Sequence, residues 1–373
     1  MQSIEKIIYK MPIISKYVKK WKNCNKEISK LKDKNEELDR VIKEMDFEIR
    51  RNAIYREIDR IHFRKIQRDM IRLNKDEWNV ENNYEIENDI LYLKRPLVSI
   101  IVVNHNGKKY LSKLLQSLVE KVFYDNFEII IVDNASDDDS LELVQKYKQE
   151  LPIRVIQNTE NFSFSKANNI GAKIALGEYV LFLNNDTEVT DGWLDELLIS
   201  ALTRDNVGAI GATLIYPEIP NDSYNRGKSY MIQHEGIAFR EGSREDIKYW
   251  QPYNVNNGEK LQTGMNRQDY EWFCVTAAVL LVKKTQFELC GGFDEQYLYG
   301  YEDVDFCLKL KKNGFRNYCC GNCLIFHYEF GTQSEDELSE VRERRINNAR
   351  IFQEKWQDYL QKRKDKIKLN DTL

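Results

Sequence analysis

Between about residues 95 and 190, short apolar runs alternate with stretches of helical period. Residues 98–103 (VSIIVV) form an apolar run bounded by Pro96 and by Asn104-His105-Asn106-Gly107. The next stretch carries Leu111, Leu114, Leu115 and Leu118 at steps of three and four, one face of a helix. The pattern then repeats. Residues 128–132 end at Asp133-Asn134-Ala135-Ser136-Asp137, before a helix bearing Leu141, Leu143, Val144 and Tyr147. A short strand over 153–156 is followed by a helix over 165–175 that Gly177 closes, and YVLFL at 179–183 runs into Asn184-Asn185-Asp186. Strand, helix, strand, helix at these lengths predicts an α/β fold, a mostly parallel sheet with helices on both faces. The polar clusters fall at strand C-terminal ends, where open α/β sheets bind ligands.

The flanking regions differ in texture. Ile28, Leu31, Asn35, Leu38, Ile42, Met45 and Ile49 follow the alternating three–four steps of an a/d seam, with Asn35 at an a position. A helical region over 1–90 with a coiled coil over about 25–62 is therefore expected. The seam is either a coiled coil that forms a homo-oligomer or recruits a partner, or an amphipathic helix folded back on its own domain. Ahead of it, Ile4, Ile7, Ile8, Met11, Ile14, Tyr17, Val18 and Trp21 share a face ringed by lysines. That segment reads as a peripheral membrane helix or as a solvated one. Residues 331–373 read as a C-terminal helical extension whose apolar residues are Val341, Ile346, Ile351, Phe352, Trp356 and Leu360, expected to dock on the preceding domain. The stretch 216–270, with its Pro, Gly and Asn residues, is expected to form mobile loops over the site.

Composition narrows the class. The formal net charge is −4 over 373 residues, so no basic field points to nucleic acid. No apolar run reaches a membrane span, and the N-terminus lacks the continuous apolar core and small-residue cleavage site of a secretory signal. A cytoplasmic location, at the inner face of the membrane if the N-terminus binds it, is the expectation. Cys320 and Cys323 have C-x-x-C spacing without a second pair, which favours packed thiols over a zinc site.

Three clusters carry chemistry. Asp186, ending a buried strand, is placed to offer a carboxylate to a divalent cation; a turn is the plainer reading. Asp133 ends another strand, where an acidic residue can accept from a nucleobase or ribose, or can cap a helix. Glu302, Asp303 and Asp305 open a helix after the glycine- and aromatic-rich GFDEQYLYGY. His327 follows the strand-like CLIF, where a packed histidine is the plainer reading and a metal ligand the sharper one.

The ordered blocks VSIIVVNHNG, IIIVDNASDDDS, NFSFSKANNIGAKIALGEYVLFLNNDTEV, VTAAVLLVKK and GGFDEQYLYGYEDVDFCLKLKKNGF, with His327 after them, resemble the family-2 glycosyltransferases of the GT-A (Rossmann-like) fold. The resemblance covers about 95–330 and is strongest with the bacterial branch that builds cell-surface polysaccharides. Gln233-His234-Glu235-Gly236 also resembles rhamnosyltransferases that use dTDP-rhamnose. It implies metal-dependent hexosyl or rhamnosyl transfer from a nucleoside-diphosphate sugar to a glycan or lipid-linked acceptor, with Mg or Mn as cofactor. Val103, Asn104, Asn106, Asp133, Lys166, Asn168 and Asn185 would lie on the donor side. Asp186 would ligate the metal, with His327 as a second ligand. Asp303 would be the general base of an inverting transfer, with Glu302 supporting it. Asn184 stands where the family has the first metal-motif Asp, which keeps open a catalytically weakened, transferase-like scaffold assembled through the coiled coil. A nucleotidyltransferase is disfavoured because the loop NHNGKKY has one glycine.

Overall fold

The computed structural model describes residues 37–58, 84–87, 90–93, 95–122, 124–218, 227–244, 247–262, 267–328, 335–365 and 367, with positions 26, 30 and 34. The chain divides into two units, Met1–Asn52 and Ala53–Leu373. In the first, residues 37–52 are helical, and Leu38, Ile42, Met45 and Ile49 of the seam are exposed. The remaining seam positions Ile28, Leu31 and Asn35, and the basic segment before them, lie outside the described residues.

The second unit contains β1 (Tyr84–Glu87) and β2 (Ile90–Leu93), an antiparallel pair. The main elements follow: β3 (Val98–Asn104), α1 (Lys108–Lys121), β4 (Phe127–Asp133), α2 (Ser140–Tyr147), β5 (Ile153–Gln157), α3 (Phe164–Ile174), β6 (Tyr179–Leu183), β7 (Thr187–Val189) and α4 (Trp193–Leu202). Then come β8 (Val207–Ile215), β9 (Ile232–His234), β10 (Ile237–Arg244), β11 (Ile247–Asn254), β12 (Tyr270–Trp272), β13 (Val279–Lys283), α5 (Lys284–Leu289), α6 (Glu302–Lys312), β14 (Arg316–His327) and α7 (Glu335–Gln361). The apolar runs became strands within a residue of their expected bounds, because continuous β-branched sequence suits strands buried on both faces.

The main sheet has ten strands in the order β12-β14-β8-β13-β6-β3-β4-β5, with β7 on β14 and β9 on β8. Strands β3, β4, β5 and β6 are mutually parallel, and β8 and β14 run parallel to each other. Strand β13 is antiparallel to both β6 and β8, so β8 and β14 point the same way as the parallel block. The chemistry at the ends of β3, β4, β6 and β14 therefore meets on one edge.

Alternate residues of β3 and β4 divide between two cores. Ile100, Val102, Ile129 and Ile131 pack with Leu111, Leu114, Leu115 and Leu118 of α1 and with Trp193 and Leu197 of α4. Ile101, Ile130 and Val132 face the opposite core, which holds Ala167 of α3, Phe306 of α6 and Phe352, Trp356 and Leu360 of α7. The C-terminal helix α7 is thus docked on this second core.

The stretch expected to be mobile loops instead forms β9 and the hairpin β10–β11, whose described core includes Phe239 and Trp250. Ile237, Ala238 and Phe239 are all buried in the same core and Arg240 is exposed, so this strand shows no clean period of two, and its Gly and Asn residues read as loop. Cys319, Cys320 and Cys323 are buried in β14, and burial pushes Cys320 and Cys323 far above the ordinary thiol range. They are packed thiols. Among the described residues no helix is long and apolar enough to cross a membrane.

Candidate active site

The residues expected on the donor side are knitted together by hydrogen bonds at the ends of β3, β4 and β6. Asn185 Nδ2 donates to Asn104 Oδ1 at 2.8 Å, and Asn104 Nδ2 donates to Ser136 Oγ at 3.2 Å. Asn106 Oδ1 accepts from the Asp137 amide at 2.8 Å. Gly107 lies so close to Asn185 and Asn104 that a Cβ there would collide with both side chains. Asn106 and Ala135 hold positive φ, 48° and 59°, which turns the two strand-end loops towards each other. Asp133 Oδ2 accepts from the Ser136 amide at 3.2 Å, while its buried Oδ1 has no hydrogen-bond donor among the described residues. Asp138, not Asp139, ties the helix start down: its oxygens accept from Ser140 and from the Lys108 amide.

Lys166 sits in the first turn of α3, capped by Ser163, with its ammonium 3.5 Å from the Phe162 ring centroid. Asn168 is buried within α3 and donates to its own Phe164 carbonyl at 2.9 Å, so its amide braces the helix. Val103 is half-buried at the end of β3.

Asp186 and His327 are brought together by backbone pairing. Strand β7 pairs antiparallel with β14, setting Thr187 opposite His327, and the Tyr328 amide donates to the Asp186 carbonyl at 2.9 Å. Asp186 Oδ1 lies 3.2 Å from His327 Nε2. That oxygen is buried and meets no hydrogen-bond donor in good geometry among the described residues. A buried carboxylate oxygen beside an imidazole nitrogen fits a divalent cation that completes its shell with diphosphate oxygens and water. Asn184, in the position of the missing Asp, lies with Nδ2 3.4 Å from the same His327 nitrogen. Sequence alone favoured a packed histidine at 327; the β7–β14 register is what makes it a neighbour of Asp186.

The third cluster opens α6. Asp303 accepts from the Ala277 amide at 3.0 Å and the Val304 amide at 2.7 Å. The Ala278 carbonyl, one residue on, accepts from Asn184 N at 3.0 Å, linking this carboxylate to the Asp186 turn. Burial raises the Asp303 pKa above the usual carboxylate range, opposed by the amides of Ala277 and Val304 and the Thr276 hydroxyl. Burial and then the Asp303 charge push Glu302 further, up to about 8. Glu302 Oε2 is buried without a hydrogen-bond donor among the described residues. Burial thus favours the protonated form of both carboxyls, and the Asp303 charge adds to the effect at Glu302.

Residues that sequence reasoning passed over hold this turn. Tyr301, just before α6, adopts φ 73°, a left-handed conformation that costs a non-glycine residue about 1 kcal/mol or more. Asn348 of α7, fully buried, donates to the carbonyls of Tyr299 and Gly300 at 2.9 Å each. Tyr301 also packs on Phe352, with ring centroids 5.1 Å apart. His234, next to Gln233 on β9, accepts from the Thr276 amide through Nε2 at 3.4 Å. Burial lowers its pKa to about 4, so the ring is neutral at pH 7. The one legible hint of the Asn348 contact was a polar residue within an otherwise inward-facing helical stripe.

Residues 99–271 match the profile described as glycosyl transferase family 2. The O-antigen biosynthesis protein RfbC of Myxococcus xanthus is 32% identical over 253 residues, covering 66% of this chain and 18% of that protein. An uncharacterized protein of Sinorhizobium fredii is 29% identical over 277 residues, covering 71% of this chain and 28% of its own length. Poly(ribitol-phosphate) beta-N-acetylglucosaminyltransferase TarS of Staphylococcus aureus is 39% identical over 90 residues, 24% of this chain and 16% of that one. The chain thus spans well under a third of the length of these relatives. The crystal structure of GalNAc-T7 with UDP, GalNAc and Mn2+ shares the fold at a TM-score of 0.50 and 18% identity, over 66% of this chain and 46% of that one. The fold is GT-A-like.

Proposed function

We propose that this chain, in which residues 99–271 are a family-2 glycosyltransferase domain, moves a sugar from a nucleoside-diphosphate donor to a hydroxyl of a cell-surface glycan or its lipid-linked precursor, with inversion. The observation that carries the reading is that Asp133 Oδ1, Asp186 Oδ1 and Glu302 Oε2 are buried with no hydrogen-bond partner among the described residues, whereas the other buried carboxyl oxygens of this kind, Asp191 Oδ1 and Asp305 Oδ2, lie 3.2 and 3.1 Å from the Lys121 and Lys309 ammoniums. A buried polar atom left unsatisfied costs about 1–3 kcal/mol, and this reading pairs the three with a nucleoside, a metal and an acceptor hydroxyl.

Asp133 Oδ1 accepts from the imide N–H of a uracil or thymine base, or from a ribose hydroxyl, with Val103, Asn104, Asn106 and Asn185 shaping the loops around it. Lys166 and the α3 start supply positive charge on the donor side, and Asn168 keeps that helix turn in place. A divalent cation held by Asp186 and His327 would neutralise charge developing on the leaving diphosphate. Asp303 takes the proton of the acceptor hydroxyl as that oxygen bonds the anomeric carbon. The bond from that carbon to the diphosphate oxygen breaks on the opposite face, and its electron pair leaves with the diphosphate. Glu302, protonated at pH 7, donates a hydrogen bond to the acceptor or to Asp303.

The relatives' names, O-antigen biosynthesis and a poly(ribitol-phosphate) transferase, support a surface-polysaccharide acceptor. The donor pairs this reading tests are UDP-sugars and dTDP-rhamnose, each with Mg or Mn. In thermal melts, the correct nucleotide with metal is expected to stabilise the protein by about 2.7 kcal/mol at a hundredfold excess over Kd, a shift of several degrees. EDTA or Asp186→Ala should abolish the shift. If no nucleotide shifts the melt with either metal, the scaffold reading that Asn184 keeps alive gains the ground.

The exposed Leu38, Ile42, Met45 and Ile49 face supports self-association through a parallel coiled coil. Its charged flanks complement a second copy: Lys34 at g faces Asp39 at e of the other chain. Sedimentation of a Leu38→Glu, Ile42→Glu double variant is expected to give monomer where the wild type gives an oligomer. A monomeric wild type would sink the coiled-coil reading.

A further inference from the structure

Gln233 belongs to the Gln233-His234-Glu235-Gly236 stretch. It sits on β9 and is 3% exposed. Both ends of its amide hold one residue 94 positions away. Its Nε2 donates to the main-chain carbonyl of His327 at 3.3 Å, and its Oε1 lies 2.7 Å from Nδ1 of the His327 ring. A carbonyl oxygen only accepts, so the amide nitrogen is the atom turned towards it, and the amide oxygen is left facing the ring. That oxygen also only accepts, so the proton is on Nδ1. The neutral ring with its proton on Nε2 is excluded, and in the neutral ring that remains Nε2 carries a lone pair. Nε2 is the nitrogen 3.2 Å from Asp186 Oδ1.

We propose that Gln233 is the positioning residue of the metal site: it fixes the tautomer and tilt of His327 so that Nε2 stands beside Asp186 as a cation donor. The proposal rests on the reading of Asp186 and His327 given above. Backbone pairing already sets the two ligand-bearing residues side by side, through Thr187 opposite His327 and the Tyr328 amide on the Asp186 carbonyl. That pairing leaves the ring torsions undetermined, and the Gln233 amide determines them. Gln233 is itself anchored, its carbonyl accepting from Asn257 Nδ2 at 2.8 Å and its strand pairing with β8. A ligand histidine whose other nitrogen is tied in this way binds metal more tightly, and loss of such a partner costs about 10–100-fold in affinity.

The test uses the full chain with two variants. Gln233→Leu keeps the bulk and removes the acceptor; Gln233→Glu keeps the acceptor. Long-range 15N–1H spectra of the metal-free protein read the ring tautomers, and with four histidines in the chain His327 can be assigned by its own substitution. Mn2+ titrated into protein saturated with nucleoside diphosphate, followed by the paramagnetic resonance of free Mn2+, reads affinity. His327 is expected as the Nδ1–H form in wild type and in Gln233→Glu. In Gln233→Leu that form should be lost and Mn2+ affinity should fall about 10–100-fold, while Gln233→Glu stays within a few-fold of wild type. If Gln233→Leu does not fold, Gln233→Met carries the same comparison. Wild-type tautomer and affinity in the folded apolar variant would overturn the proposal alone. Absence of Mn2+ binding by the wild type would sink the metal reading, and the proposal with it.

Discussion

Replacing Asp303 with asparagine is expected to lower kcat by about 10²–10⁴-fold, the range for removing a positioned general base, while the metal-dependent nucleotide shift in melting survives. The separation follows from where the residue sits. Asp303 is bound to the Ala277 and Val304 amides at the start of α6, whereas Asp133 and Asp186 lie at the ends of other strands. Asparagine keeps one acceptor oxygen for those amides but cannot take the hydroxyl proton. One amide then faces an NH2 group, which costs about 1–3 kcal/mol; removing a buried charge offsets part of that. Steady-state kinetics together with nucleotide-dependent melts make the check. Activity within tenfold of wild type would place the base elsewhere. Loss of nucleotide binding along with activity would mean that the substitution had disturbed the donor site.

Glu302→Gln is expected to make the protein more stable at neutral pH. The Glu302 pKa is raised from 4.5 to about 8 by burial and by the neighbouring Asp303 charge. Below pH 4.5 the folded and unfolded states both hold this proton, and its linkage contribution to stability is at its full value. Between 4.5 and 8 the unfolded chain releases the proton while the folded chain retains it, so stability is lost as pH rises through that window. Glutamine removes the term. Denaturant unfolding should show little difference between variant and wild type near pH 4.5, and an advantage for the variant of roughly 3 kcal/mol at pH 7. A variant less stable than wild type across the whole window would mean that Glu302 is ionised in the fold and makes a stabilising contact.

Most of the main sheet and its helices was legible as a sequence because its signals are local. Runs such as YVLFL can be satisfied only by a strand buried on both faces, and the leucines of α1 fall on one helical face whatever surrounds them. The strand ends then place Asp133 and Asp186 on the binding edge of the sheet without further information. The glycine- and aromatic-rich lead-in similarly marked Glu302 and Asp303 as the start of a shaped turn, which became the first turn of α6.

Three features had no local signal. His327 became a partner of Asp186 because β7 and β14 pair in one register; a slip of one residue would turn the ring to the other face of the sheet. Gln233 reaches His327 across 94 residues, and no period or spacing encodes such a contact. The left-handed Tyr301 is held by Asn348 and Phe352 of α7, a helix whose own pattern said only that it must dock. Sequence by itself determined the α/β class, the strand and helix order and the carboxylates at the strand ends, since burial and backbone periodicity act over a few residues. Only the tertiary structure decided which carboxylate meets which histidine and what holds the Asp303 turn, because those depend on register and on hydrogen bonds between distant segments.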